Sequence, residues 1–399
     1  MDMKRYRLYS LPGILLGFLA APAAASQFTD PFDGKFDMSG YLSENAFGFL
    51  PVPIIISEPA VDQGLGLMGM FFHEDEEAAA ERKKMMAESE TPTRYLLPPS
   101  VSAVAAAYTG NESWMLGGGH FGFYREGRIR YQGGAGYGDI NLDYYSIGDV
   151  VLPKPISLKT EALFVSNTLK FRLGELPLFL GPTQTYIEAE LSPGGLADIF
   201  PPNIPDDVVD GLTDLLSADV TTSGVGFELE FDLRDNIFSP TKGFAYTLDY
   251  LAYRDSIGSD IDYDRWEFEG LNYFKFSEYW RGAVRLGGES VDSDDPLPPF
   301  AMPALDMRGI PAARYQAENV AVIEGEVTWQ FTPRWSALAF AGAGWIENDS
   351  DELFGSSSLV SRGAGFRYQI ARQYGMHVGI DVARGPEDTV WYIQVGSAW

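Results

Sequence analysis

The run VTTSGVGFELEFDLRD, from Val220 to Asp235, alternates residue by residue. Val225, Phe227, Leu229, Phe231 and Leu233 share one face of an extended strand. Gly226, Glu228, Glu230, Asp232 and Arg234 share the other, because successive side chains of a strand point to opposite sides. A soluble sandwich would bury the apolar row. A membrane barrel turns the same row to lipid and the charged row to its lumen. One strand fits both arrangements. The number of such strands, and the charge on their polar rows, favour the barrel.

Outward from this run, the alternation predicts sixteen strands: 50–57, 63–73, 98–109, 112–125, 127–139, 158–173, 177–191, 221–234, 243–255, 262–276, 279–291, 319–331, 334–346, 358–371, 374–385 and 389–399. Tight turns at Glu126-Gly127, Gly174 to Leu176, Asp235 to Lys242, Ser277-Glu278, Thr332-Pro333 and Arg372-Gln373 alternate with longer connections at 140–157, 192–220, 292–318 and 347–357. Short periplasmic turns and long extracellular loops are the pattern of an outer-membrane barrel, and an even strand count leaves both termini in the periplasm. The loop 192–220 is expected to carry a short amphipathic helix near Asp206 to Leu216. The charged segment Glu74 to Glu90 is periplasmic by parity and reads as a polar helix or disordered insertion. Trp335 and Trp345 share one strand face ten residues apart. At ~3.3 Å per residue and a tilt near ~40° they stand about 25 Å apart along the membrane normal, the spacing of two aromatic girdles.

Composition agrees. The chain holds 26 Phe, 21 Tyr, 8 Trp and 43 Gly, which suits a barrel with two unlike faces. Its net charge of −27 excludes nucleic acid as an obvious partner. Lys4, Arg5 and Arg7, then the apolar Leu11 to Ala20 and the Ala23-Ala24-Ala25 site, read as a secretory signal peptide over residues 1–25. Residues 26–49 are then a short periplasmic linker, and 50–399 the outer-membrane barrel. The chain has no cysteine, which excludes a disulfide scaffold.

Several segments resemble the BamA/TamA-type bacterial surface antigen superfamily. Arg308-Gly309-Ile310, in the long loop before the last five strands, is similar to the family's R-G-F/Y motif. Arg234-Asp235-Asn236, followed by Ser239-Pro240-Thr241-Lys242-Gly243, is similar to its periplasmic turn. Phe340-Ala341-Gly342-Ala343-Gly344 resembles its F-x-D-x-G strand, and Ile380-Asp381-Val382-Ala383-Arg384 its penultimate strand. The resemblance implies an all-β transmembrane antiparallel barrel whose sixth extracellular loop folds back into the lumen. An enclosed arginine needs a carboxylate, because an unpaired buried charge is costly. Glu324 and Glu326 have the lumenal parity to receive Arg308 beside Gly309. The family's aspartate is replaced by Gly342, which puts more of that load on the two glutamates. Gln27 to Phe49 leaves no room for the family's POTRA domains. The last strand alternates through Trp391, Ile393 and Val395 and ends on Trp399, like the signal read during outer-membrane assembly.

Catalytic motifs are missing. The runs Gly117 to Gly119 and Gly133 to Gly138 lack the Lys-Ser/Thr of a phosphate loop. His73, His120 and His377 show no metal-ligand spacing, and there is no G-x-S-x-G elbow. Glu324 and Glu326 could mimic an acid/base dyad, but a salt bridge to Arg308 is the blander reading. The expectation is a non-enzymatic barrel without cofactor or metal. Its expected partners are outer-membrane lipid and lipopolysaccharide, the assembly machinery during biogenesis, and unfolded outer-membrane clients during insertion or translocation. The alternatives are a structural or surface-exposed barrel without transport activity and, further off, a barrel lipid hydrolase.

Overall fold

The structure is a computed structural model and describes residues 28–41, 48–73, 100–125, 127–147, 150–194, 217, 219–235, 240–355, 357–372 and 375–396. Sixteen strands follow one another: β1 (Gly48–Ile56), β2 (Gly64–His73), β3 (Ser100–Thr109), β4 (Trp114–Tyr124), β5 (Ile129–Ile147), β6 (Val150–Arg172), β7 (Leu178–Gly194), β8 (Asp219–Asp232), β9 (Gly243–Tyr253), β10 (Tyr263–Lys275), β11 (Trp280–Ser293), β12 (Asn319–Gln330), β13 (Trp335–Glu347), β14 (Leu359–Ala371), β15 (Met376–Arg384) and β16 (Thr389–Val395). Each pairs antiparallel with the next, from β1 through β16, in one up-and-down sheet that curls into a nearly closed barrel.

The alternation read from Val220 to Asp235 sets the two faces. Val225 and Leu233 are exposed on the outside, while Lys170 of β6 pairs with Glu228 and Glu230 on the inside. Aromatic rings gather outside near the short turns. Trp280 stacks on Trp329 with centroids 5.9 Å apart, and Trp335 lies 4.9 Å from Tyr368. Trp345, at the other end of β13, packs edge-on against Phe354 at 5.6 Å. Curling the sheet in this way leaves only the outer edges of the two terminal strands without a ladder partner among the described residues.

Two connections differ from the sequence reading. The expected loop 140–157 is mostly strand: β5 runs to Ile147 and β6 begins at Val150. The reason is that alternation continues past the barrel wall. Tyr144, Ile156 and Leu158 are buried with Leu191, and Leu142, Phe300 and Ala313 pack against them. The apolar positions there serve a contact with the β11–β12 loop. Secondly, the connection 347–357 contains a 3-10 turn at Ser350–Gly355. The signal peptide, Glu74 to Glu90, the helix at Asp206 to Leu216, Asn236 and Trp399 lie outside the described residues.

No ladder joins β1 to β16 among the described residues. Within β1, Pro51 and Pro53 have the same parity, so their missing N–H donors lie along one edge. The β1–β2 ladder is continuous from Gly48 opposite Phe72 to Ile56 opposite Gly64.

Candidate functional site: the inner-face arginine cluster and the seam

The β11–β12 connection, residues 294–318, does not stand off the barrel. Leu305, Met307 and Ile310 are buried together with Val320 and Val322 of β12. Gly342 and Gly344 of β13 make the space. A Cβ at Gly342 would lie 2.7 Å from the Met307 sulfur and from Glu324 Cγ, and one at Gly344 would lie 2.5 Å from Leu305 Cδ1. Gly342 pairs with Glu324 across the ladder, so both share the inner face that carries the loop.

At the tip, Gly309 adopts φ +91°, a conformation glycine enters without a Cβ penalty. That turn sends Arg308 inward, and its side chain is only 7% exposed. Arg308 Nη1 donates to Glu326 Oε2 at 2.8 Å and to Asp381 Oδ2 at 3.4 Å, and Nε donates to Glu324 Oε1 at 3.4 Å. The guanidinium lies 3.6 Å from the Phe340 ring centroid. Two further arginines share these carboxylates. Arg285 reaches Glu324 at 3.2 Å, and Arg367 reaches Asp381 at 2.5 and 2.8 Å. Ser361 Oγ donates to the Arg308 carbonyl.

The same loop then crosses the seam. Gly309 N donates to the Tyr392 hydroxyl of β16 at 2.9 Å. Ala312 N donates to Glu58 Oε1, in the β1–β2 connection, at 3.0 Å. Arg314 pairs with Glu387 in the β15–β16 turn and lies 3.4 Å from the Tyr145 ring centroid. Residues from both sides of the unpaired edges are thus held by one loop.

Other residues singled out by sequence fall elsewhere. Arg234 pairs with Asp232 at 2.8 Å. The Asp235 carboxylate accepts from Thr241 N at 2.8 Å, Thr241 Oγ1 at 2.5 Å and Lys242 N at 3.2 Å, which closes the β8–β9 turn. Pro240 is buried beside it, and Gly243 takes φ +104°. Arg384 is exposed and donates to Thr389 Oγ1 at 3.2 Å, apart from the Arg308 cluster. Trp391 lies exposed on the outer face of β16. Among the described residues, no group of three or more His, Asp or Glu side chains could hold a metal ion.

Sequence reasoning missed two things. It placed Asp381 only in a strand motif, whereas Asp381 is fully buried between Arg308 and Arg367. It also gave residues 28–41 no structure, although Asp30, Asp33 and Asp37 meet Arg334. No local signal relates them, since Arg334 lies about 300 residues from these aspartates.

No family model matches the chain, and no curated protein matches it. Solved structures do. BamA from Haemophilus ducreyi lacking POTRA domains 1–3 aligns at TM-score 0.54 and 12% identity, over 87% of this chain and 69% of that one. CdiB from Escherichia coli aligns at TM-score 0.54 and 12% identity, over 87% of this chain and 62% of its own length. CdiB from Acinetobacter baumannii aligns at TM-score 0.52 and 11% identity, over 87% and 59%. The chain spans less than two thirds of either CdiB chain. At these identities the likeness is one of fold, and the chain shares the barrel fold of BamA and CdiB.

Proposed function

We propose that this chain is an outer-membrane barrel of the BamA/TamA type that assists the insertion or translocation of other proteins at its β1–β16 seam. The observation that carries this reading is the seam itself: among the described residues, no ladder joins the two terminal strands. An unpaired strand edge is a template for another strand. In hydrocarbon that pull is stronger, because no water satisfies the free N–H and C=O groups. Strand addition by an unfolded client is the chemistry such an edge offers.

On this reading the short turns face the periplasm and the long loops the cell exterior. Arg308 and Gly309, with Glu324 and Glu326, anchor the sixth extracellular loop. The turn from Arg234 to Gly243 caps β8 and β9. Asp381 closes the arginine cluster from the penultimate strand, and Trp391 and Trp399 mark the strand read at assembly. Lipid, lipopolysaccharide and the assembly machinery are its surroundings.

The test combines genetics with capture. A photoreactive side chain at Ile55, on the outer face of β1, should cross-link unfolded outer-membrane proteins in living cells. The same probe at Leu248, on β9, should not. A deletion strain should lose outer-membrane protein levels. Normal levels in the deletion strain, with no capture at Ile55, would overturn the proposal in favour of a barrel that serves envelope integrity without transport.

A further inference from the structure

The loop at one end of the seam has a counterpart at the other. Residues 28–41 precede β1 and form a small preshaped unit. Asp30 N donates to the Lys35 carbonyl at 2.9 Å, and Gly34 N to the Asp30 carbonyl at 2.8 Å. The Asp30 and Asp33 side chains accept from Phe32 N at 3.0 Å and Lys35 N at 2.9 Å. Such aspartate turns orient their own carboxylates, since the side chain is tied to the backbone it bends.

Those carboxylates point at the turns of the opposite strands. Arg334, in the β12–β13 turn, donates through Nε to Asp33 at 2.6 Å and through Nη2 to Asp30 at 2.5 Å and Asp33 at 3.0 Å; its Nη1 pairs with Asp37. Arg372, beyond β14, donates through Nε to Asp30 at 2.6 Å, and its backbone N–H donates to Asp37 at 2.9 Å. Backbone contacts add to this. Met38 N donates to the Ile370 carbonyl at 2.6 Å, and the Tyr368 hydroxyl donates to the Phe36 carbonyl at 2.6 Å. Arg334, Asp30 and Asp37 are each about 5% exposed or less. Buried, multiply bonded ion pairs of this kind differ from surface pairs, which contribute little.

The other flank of the segment is apolar. Met38 and Tyr41 pack around the fully buried Ala371 together with Val52 of β1, Met70 of β2, Ile370 and Met376. The segment, which precedes β1 in the chain, therefore meets β14 and its turn directly, and shares the cluster around Ala371 with Val52 of β1 and Met70 of β2.

We propose that residues 28–41 are a strap that fastens the short-turn end of the β1–β16 seam, with Arg334 and Arg372 as its clasp. The strap rests on the reading of the seam as the working part of the barrel, but it makes a claim about geometry that stands apart from transport. The β11–β12 loop holds the seam at the long-loop end through Tyr392, Glu58 and Glu387. The strap holds it at the opposite end. With the clasp intact, β1 cannot swing from β15 and β16 at that end without breaking ion pairs to two turns. With the clasp broken, the seam opens from the short-turn end, where a client arriving from the periplasm would meet it.

The native chain has no cysteine, so introduced pairs report cleanly. Phe71→Cys with Val395→Cys places spin labels on the outer faces of β2 and β16 near the strap. Leu65→Cys with Val382→Cys does the same on β2 and β15 nearer the loop. In the full chain in lipid nanodiscs, Arg334→Gln with Arg372→Gln should move the Phe71–Val395 distance distribution to longer, broader values. It should leave the Leu65–Val382 distribution in place. If that double variant does not fold, Asp33→Asn loosens the clasp at its outer edge and should give a smaller shift of the same pair. An unchanged Phe71–Val395 distribution, with residues 28–41 shown by protease to be released, overturns the strap. Equal movement of both pairs overturns it too, since that reports loosening of the whole barrel. A failure of client capture at Ile55 leaves these distances as they are, so the two proposals fail separately.

Discussion

Arg308 sits where an error of one charge is expensive. Its guanidinium, Glu324 and Asp381 are all nearly inaccessible to solvent, and removing one partner of a buried pair costs about 3–5 kcal/mol because the other is left uncompensated. Arg308→Ala should lower the free energy of barrel unfolding, measured by urea titration, by an amount in that range. Glu326→Ala should cost less when added to it than alone, since both act in one network. Measured additivity of the two in a double-mutant cycle would place Arg308 outside the cluster. Gly342 works the opposite way: the space it leaves is taken by Met307 and Glu324, so the position admits the loop rather than binding its arginine. At this scale the sequence was partly legible. The parity of one strand places Glu324 and Glu326 on the inner face beside each other. Asp381 lies 73 residues from Arg308, and no local pattern relates the two.

The strap is an element of a different kind, held by charge rather than by ladder hydrogen bonds. Arg372 beside Asp30, and Arg334 beside Asp33, hold these carboxyl groups below the usual carboxylate range. A carboxyl depressed in the folded state contributes stability above its unfolded pKa, about 3.9 for aspartate, and loses it as pH falls through the folded value. Asp37, Lys35 and Tyr368 are the other titratable groups around the clasp. Protease cutting within residues 28–41 should thus stay low and flat from pH 8 to about pH 5 and rise only below about pH 4. Release near neutral pH would show that the ion pairs do not hold the segment. From sequence, the strands were readable because alternation is local. The strap was not, because Arg334 and its aspartates are about 300 residues apart. The long β5–β6 pair was misread for a related reason: its apolar positions answer to a distant loop, through Phe300 and Ala313.

At the scale of the molecule, sixteen alternating segments and short turns at one end were enough to expect the barrel, since each strand needs only its neighbour in the chain. Whether the first and last strands meet is the one pairing that locality does not decide. Among the described residues no ladder joins the two edges; the β11–β12 loop reaches both sides at one end, and the proposed strap fastens the other. Backbone hydrogen exchange, resolved by peptide in nanodiscs, tests this most directly. A closed ladder would protect residues 48–56 and 389–396 as fully as residues 221–232 of β8. The account predicts a fast-exchanging population of amides in both terminal strands that β8 lacks. Protection of β1 and β16 equal to that of β8 would contradict it.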